Sequence, residues 1–343
     1  MSDGEPRPRR SRRGSGVVTL HDVARLAGVA AMTVSRALNT PGRVSPEVLE
    51  RVGAAVRRSG YVPNRLAGGL ASARSRLVAA VVPTLSGPVF TPTVEALTAA
   101  LAGQGYQLIL GQSGYAESRE DALLEAIIGR RPDGIVLTGI LRSAEGRRRL
   151  AAANIPVVET WDLTPTPIDM LVGFSHERIG QAVAKFLHAR GRRRLAVVAG
   201  DDDRSLRRHA AFREGARVLG LADVASVVVP APTTLRSGRA ALAELMGNGA
   251  GVDAVFCSSD LLALGVLTEA RARGVAVPSQ LAVVGFGDNE FAADLEPALT
   301  TVHVDGAAIG RQAARFIVER AEGRAVAERV VDLGFSIVER ASA

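Results

Sequence analysis

The chain has 343 residues, 47% hydrophobic and 22% charged, with a formal net charge of +7, an ordinary composition for a globular chain of two or three domains. No apolar run reaches the ~18 residues that a membrane span needs, which excludes an integral membrane protein. A single cysteine, Cys257, excludes a disulfide framework and a cysteine-based metal cluster.

Residues 1–76 carry 14 arginines against 5 acids, whereas the remainder carries 28 basic residues against 30 acids. Positive charge held at one end fits a polyanion-binding module on a near-neutral body. Lys185 is the only lysine, so no single arginine is read as selected over lysine. Residues 1–15 are rich in Arg, Pro, Gly and Ser and read as a disordered basic tail. They lack the apolar stretch of a secretory signal, so the expected compartment is the cytoplasm. Their five arginines would add at most a nonspecific attraction to phosphate.

Residues 16–62 read as short helices with tight turns. In TLHDVARLAGVAAMTVSRAL, Thr19 to Leu38, Thr19 followed by Asp22 resembles a capping box. Val23, Leu26 and Ala27 mark an inner face, and Gly28 breaks the helix. A second helix begins near Ala30 with Val34 and Leu38 inward, and Ser45-Pro46-Glu47 starts a third. Two short helices about a glycine turn form a helix-turn-helix, whose second helix enters the major groove. The bland alternative is a plain three-helix bundle.

Residues 63–76 (PNRLAGGLASARSR) form a linker with some helical pattern. Over 77–343, short apolar runs alternate with helical stretches. The runs are Leu77–Val82, Gln107–Leu110, Gly134–Leu137, Ile155–Val158, Met170–Phe174, Leu195–Ala199, Val227–Val229, Ala254–Cys257 and Leu281–Phe286. Helices are expected over Thr93–Gly103, Arg119–Gly129, His176–Arg190 and Leu206–Gly220. Such alternation means parallel sheet covered on both faces. Five runs before residue 190 and four after it predict two doubly wound lobes, with ligand at the strands' carboxyl ends, in a cleft between them.

The stretches DVARLAGVAAMTVSRALN, VSPEVLERV and GYVPNRLAGGLA resemble the headpiece of the LacI family of bacterial transcription regulators. The likeness continues through the body and covers nearly everything after the tail. Within that family AMTVSR, GYQLILGQSGY, IPVVETWD, MLVGFSH, VFCSSD and VVDLGF resemble gluconate-operon repressors. The resemblance implies an α/β chain: an all-α helix-turn-helix headpiece, a hinge, and a two-lobed, doubly wound, periplasmic-binding-protein-like core that binds effector and dimerises. The function implied is a homodimeric repressor on pseudo-palindromic, double-stranded operator DNA, released by a small sugar acid, with no cofactor, metal or membrane partner.

Carried over residue by residue, the resemblance puts Ala31 and Met32 at the base-reading start of the recognition helix, with Arg36 one turn later. Arg36 has the donors for a guanine; the other two would read an apolar feature such as a thymine methyl, and core packing is the competing role for Met32. Thr33, Ser35 and the start of that helix are candidates for phosphate contact, and Thr19 is a further DNA-binding candidate. Asn64 to Ala71 resembles the hinge helix, with Asn64 on DNA and Leu70 as the minor-groove wedge. Gly68 and Gly69 each handicap that helix by about 1 kcal/mol, so it should fold only when paired on DNA.

The implied effector cleft takes Ser86, Val89, Phe90, Thr138, Trp161, Phe174 and His176 from the first lobe and its crossing, and Arg208, Asp260 and Gly287 from the second. Arg208 can pair bidentately with a carboxylate or with vicinal hydroxyls, and Asp260 either caps its helix or accepts from a sugar hydroxyl. Many neutral-sugar regulators have an acid directly after the GF or GY of this strand. Gly287 stands there instead and Asp288 is displaced by one, which favours an acidic ligand.

A periplasmic-type sugar-binding transport protein shares the core fold but would not have a DNA-reading headpiece. A regulator responding to a neutral sugar is the other alternative. Enzyme readings lack support. No G-x-G-x-x-G follows the first strand, Gly111-Gln112-Ser113-Gly114 misses a nucleophile elbow, the histidines are scattered, and Cys257 sits in an apolar strand.

Overall fold

The computed structural model describes residues 18–62, 74–115, 117–221, 223–247, 249 and 251–343. The basic tail and most of the linker, including Asn64 and Leu70, lie outside the described residues. The chain divides between Ser75 and Arg76 into two units.

In the N-terminal unit the capping box forms as its spacing predicts. Thr19 Oγ1 accepts from the Asp22 amide, and the Asp22 carboxylate accepts from the Thr19 amide at 3.0 Å, starting α1 (Leu20–Ala27). Gly28 ends α1 at φ +64°, a left-handed conformation that glycine adopts without a Cβ penalty. Helices α2 (Ala31–Asn39) and α3 (Pro46–Ser59) follow. Pro46 opens α3, although the Ser45 side chain makes no capping bond. Arg51 of α3 donates to the Ala27 and Gly28 carbonyls at 2.6 and 3.0 Å, a cation on the negative end of α1. Val23, Ala24, Ala27, Val34, Ala37, Val52 and Ala55 make the core. Leu26, expected inside, is 42% exposed; the helical period puts Ala24 on the stripe with Val23 and Ala27 instead.

The second unit begins with β1 (Leu77–Val82), β2 (Gln107–Gln112), β3 (Gly134–Thr138), β4 (Val157–Thr160) and β5 (Met170–Gly173), separated by α4 (Thr91–Ala102), α5 (Glu117–Ile128) and α6 (Ala144–Ala153). Helix α7 (His176–Ala189) leads into the second lobe. There β6 (Leu195–Gly200), β7 (Ala225–Val229), β8 (Ala254–Cys257), β9 (Ala282–Phe286) and β10 (Thr300–His303) alternate with α8 (Asp203–Val218), α9 (Leu235–Gly247), α10 (Asp260–Ala272) and the short α11 (Phe291–Asp294). Then α12 (Gly306–Ala321) packs back on α4 of the first lobe. Strand β11 (Val330–Asp332) extends the first sheet beside β5, and β12 (Ser336–Val338) pairs antiparallel with β10.

Two six-stranded sheets result, ordered β11-β5-β4-β3-β1-β2 and β12-β10-β9-β8-β6-β7. Each of the nine apolar runs overlaps one of β1 to β9, although Ile155–Val158 begins two residues before β4 and Phe174 and Leu281 fall just outside β5 and β9. The lobes are not successive halves of the chain, as a five-then-four division predicts, because the last segments return to the first lobe and leave it again. Strands β10 to β12 escape the sequence reading because they are three or four residues long and mixed in polarity. One buried apolar cluster runs through both lobes, from Val78 and Leu97 to Phe212 and Phe256, each large side chain contributing roughly 1.5–3 kcal/mol by leaving water. Among the described residues no helix is long and apolar enough to cross a membrane.

Candidate functional site

On the N-terminal unit, Met32 is 64% exposed, which removes the core-packing alternative for it. Arg36 is exposed one turn on, and Ala31, Thr33 and Ser35 are half-buried beside them. Ala30 gives α2 no side-chain cap, so no capping side chain competes with a phosphate for the first amides of that helix. The Thr19 hydroxyl is engaged with Asp22 at 2.7 Å.

In the second unit a cavity of about 80 Å³ opens between the lobes. Its walls come from segments at or just beyond the carboxyl ends of β1, β2 and β4 to β9, where a doubly wound sheet leaves unpaired backbone and helix N-termini. Ser86, Val89, Phe90, Trp161, His176 and Arg208 line it, as the sequence reading expects. Four further expected residues do not. Phe174 is wholly buried, edge-on to Trp161 at 5.7 Å and to His176 at 4.9 Å. Thr138 lies behind Arg204, its carbonyl 3.4 Å from a guanidinium nitrogen.

Asp260 is fully buried and accepts from Thr301 Oγ1 at 2.6 Å and from the Asn289 amide at 2.8 Å. Burial pushes its carboxyl up to about 6. Ser259, not Asp260, caps α10. Gly287 adopts φ +128°, and a Cβ there would sit 3.3 Å from Val89 Cγ2, so it braces the wall without presenting a group. Asp288 turns away to Arg340 and His303.

The signal missed in the sequence is the start of α8. Asp202 caps that helix through Ser205, and Arg204, Ser205 and Arg208 follow on its cleft face. Asp202 also lines the cleft and puts a carboxylate there. Against burial, the fields of Arg204 and Arg208 and the hydrogen bonds from Ser205 hold its carboxyl below the usual range. Arg204 and Arg208 are neighbours at i, i+4. Among the described residues neither forms an ion pair with a carboxylate, whereas Arg207 between them pairs with Asp162, Glu177 and Asp203.

Arg208 is 4% exposed. One Nη donates to His176 Nδ1 at 2.8 Å, and the other to Ser205 Oγ at 3.2 Å and the Ser258 carbonyl at 3.0 Å. Its guanidinium lies over the Phe286 ring at 3.9 Å, and its buried Nε has no partner. Burial pushes it down to about 10, with the field of Asp202 opposing, so it keeps its charge at neutral pH without a directly paired carboxylate.

His176 is 1% exposed, and burial together with Arg208, Arg204 and Arg207 holds its imidazole well below the ordinary histidine range. An unfolded histidine takes up a proton near pH 6.5, while the folded ring refuses it, so stability is present above that pH and is lost as pH falls. Between pH 6.5 and 5 the unfolding free energy of the wild type should fall by up to about 2 kcal/mol more than that of His176→Asn. Urea unfolding at both pH values checks this; equal losses would mean that the buried ring titrates normally.

Comparison with known proteins accords with this architecture. Residues 19–64 match the lacI family of bacterial regulatory proteins, and residues 184–343 match the periplasmic binding protein-like domain. The HTH-type transcriptional regulator GntR of Pseudomonas aeruginosa is 38% identical over 332 residues, 96% of this chain and 97% of that protein. The regulator of the same name from Escherichia coli K12 is 30% identical, over 93% and 96%. A crystal structure of a LacI-family transcriptional regulator from Silicibacter pomeroyi superposes with a TM-score of 0.89 at 32% identity, over 95% of this chain and 99% of that one. This chain therefore belongs to the LacI family of bacterial regulatory proteins and is a DNA-binding transcriptional repressor.

Proposed function

We propose that the repressor is cytoplasmic and homodimeric and leaves its operator when a sugar acid, gluconate or a close relative, enters the interlobe cleft. The observation that carries this reading is Arg208, a buried guanidinium with an unpartnered Nε and no carboxylate paired to it. A buried charge with no carboxylate bonded to it is unfavourable, and a ligand carboxylate would relieve it by a charge-assisted bond. Charge matching supports one carboxylate. Arg204, Arg208 and Asp202 all line the cleft from the start of α8, and a neutral His176 leaves one net positive charge. The likeness of the sequence to gluconate-operon repressors points the same way. Asp202 is the observation that favours a neutral sugar, since it offers an acceptor for hydroxyls.

Domain roles follow the sequence boundaries: tail 1–15, DNA-binding headpiece 16–62, hinge 63–76 and core 77–343. Ala31, Met32 and Arg36 would read base edges, while Thr19, Thr33, Ser35 and the start of α2 hold phosphates, and Asn64 and Leu70 act from the hinge. Arg36→Ala should weaken specific operator binding by about 1–3 kcal/mol and relax discrimination at one base pair. Salt-matched titration on operator and on base-substituted operator reads it; a uniform loss across sequences would reassign Arg36 to phosphate. Effector shifts the equilibrium by its differential affinity for the released and operator-bound states, and by no more.

Trp161 is the only tryptophan and lines the cleft, so its emission should change saturably with gluconate and not with glucose or ribose. Tighter binding of a neutral sugar than of gluconate would overturn the sugar-acid reading.

A further inference from the structure

Arg208 reaches the first lobe through one side chain. His176 opens α7, after the last of the five consecutive first-lobe strands. Its Nε2 lies 3.0 Å from the Trp161 carbonyl and its Nδ1 lies 2.8 Å from Arg208 Nη1. A carbonyl only accepts and a guanidinium only donates, so Nε2 carries the proton and Nδ1 the lone pair. Both neighbours demand the same neutral tautomer.

The chain of bonds continues on either side. Arg208 donates to the Ser258 carbonyl at the end of β8. Trp161 holds a left-handed φ of +64°, uncommon for a bulky side chain and a site where strain is stored. Its indole Nε1 donates to Thr93 Oγ1 of α4 at 3.0 Å, and that hydroxyl donates to the Gly306 carbonyl, at the start of α12, at 2.8 Å. A Cβ on Gly306 would meet Thr93 Oγ1 at 3.0 Å, and one on Gly310 would meet the Thr93 carbonyl at 2.3 Å. Helices α4 and α12 thus meet with no slack. Each bond in this series joins buried groups, so breaking one strands a polar atom away from water.

We propose that His176 is a positioning residue that couples the effector site to the first lobe: in one fixed tautomer it passes a displacement of Arg208 to the Trp161 carbonyl, and so to α4 and α12. This inference rests on the sugar-acid reading of the cleft only for the ligand that moves Arg208. Effector binding at one end and DNA release at the other are linked by a coupling free energy, and a relay of this kind predicts that affinity and coupling separate on substitution.

Two variants of the full-length protein separate them. In His176→Asn the amide oxygen can take the place of Nδ1 and keep the acceptor for Arg208, while the shorter side chain loses the Trp161 carbonyl. In His176→Gln the amide nitrogen can take the place of Nε2 and keep the Trp161 bond, while Arg208 loses its acceptor. Gluconate affinity is read from Trp161 emission, and release as the ratio of operator affinities without and with saturating gluconate. H176N is expected to lower the release ratio at least fivefold more than it weakens gluconate binding, and H176Q to weaken binding at least tenfold with the smaller loss of release. Proportional losses in both variants, or none in either, would overturn the relay.

A ligand-free measurement keeps the two readings apart. The nitrogen-15 spectrum of the His176 ring should show the Nε2-protonated neutral form from pH 5.5 to 8. A charged ring or the opposite tautomer would overturn the relay whatever the effector is. A wild type that keeps this tautomer but ignores gluconate would overturn the sugar-acid reading alone.

Discussion

Arg208→Gln should weaken sugar-acid binding by about 2–4 kcal/mol, roughly 30- to 1,000-fold, because it removes one partner of a buried, hydrogen-bonded charge pair. The size of the effect comes from where Arg208 sits. It is nine-tenths or more buried, oriented by His176, Ser205 and the Ser258 carbonyl, and stacked on Phe286, so little of its binding energy is spent on ordering a free side chain. Glutamine keeps a donor for His176 but carries no charge. Emission titration with gluconate measures the loss, and operator binding without effector, made by other residues, checks that the variant is folded. Retained affinity within about threefold would mean that the carboxylate is held elsewhere, with Arg204 the first alternative.

Gly173→Ala is the structural counterpart, expected to destabilise the core by about 3 kcal/mol or more through overpacking that cannot be relieved. Gly173 ends β5 against the backbone that follows Trp161, and a Cβ there would lie 1.9 Å from the Asp162 carbonyl oxygen and 2.7 Å from its nitrogen. No side chain can move to make room, because the obstacle is main chain. The Trp161 amide also donates to Val172, so any shift of β5 drags the strained Trp161 with it. Gly103→Ala provides the control. Gly103 follows α4 at φ −59°, where a Cβ meets two carbonyl oxygens at 3.6 Å, and the change should be neutral or stabilising by under about 1 kcal/mol. Urea unfolding compares them; a G173A variant as stable as G103A would contradict the packing of β5 on the Trp161 turn.

Much of the molecule was legible before its structure. Thr19, Asp22 and Gly28 specify a helix start and stop by local hydrogen bonds and backbone sterics, which need no knowledge of distant residues. The apolar runs announce β1 to β9 because a strand buried on both faces must be apolar throughout. Arg208, Trp161 and Phe90 were found from resemblance, and all three line the cavity.

What escaped was decided by contacts far apart in sequence. Asp260 looked like a capping residue or a ligand contact, and tertiary packing gives the cap to Ser259 and ties Asp260 to Thr301 and Asn289. Arg204 and Asp202 carried no distinguishing local pattern, and only the position of α8 against the cleft makes them part of its electrostatics. Strand β11 is too short to declare itself and exists because β5 leaves it an edge to pair with.

The sequence by itself determined the class of fold, the DNA-reading module and the family, since these rest on periodicities and local motifs that each segment carries alone. Only the tertiary structure decided which arginines of α8 line the cleft without an ion pair, which tautomer His176 holds, and how Arg208 is joined to the first lobe. Those properties depend on burial and on the distances between charges, and both arise only when the chain brings segments as distant as Thr93, Trp161, Arg208 and Gly306 into contact.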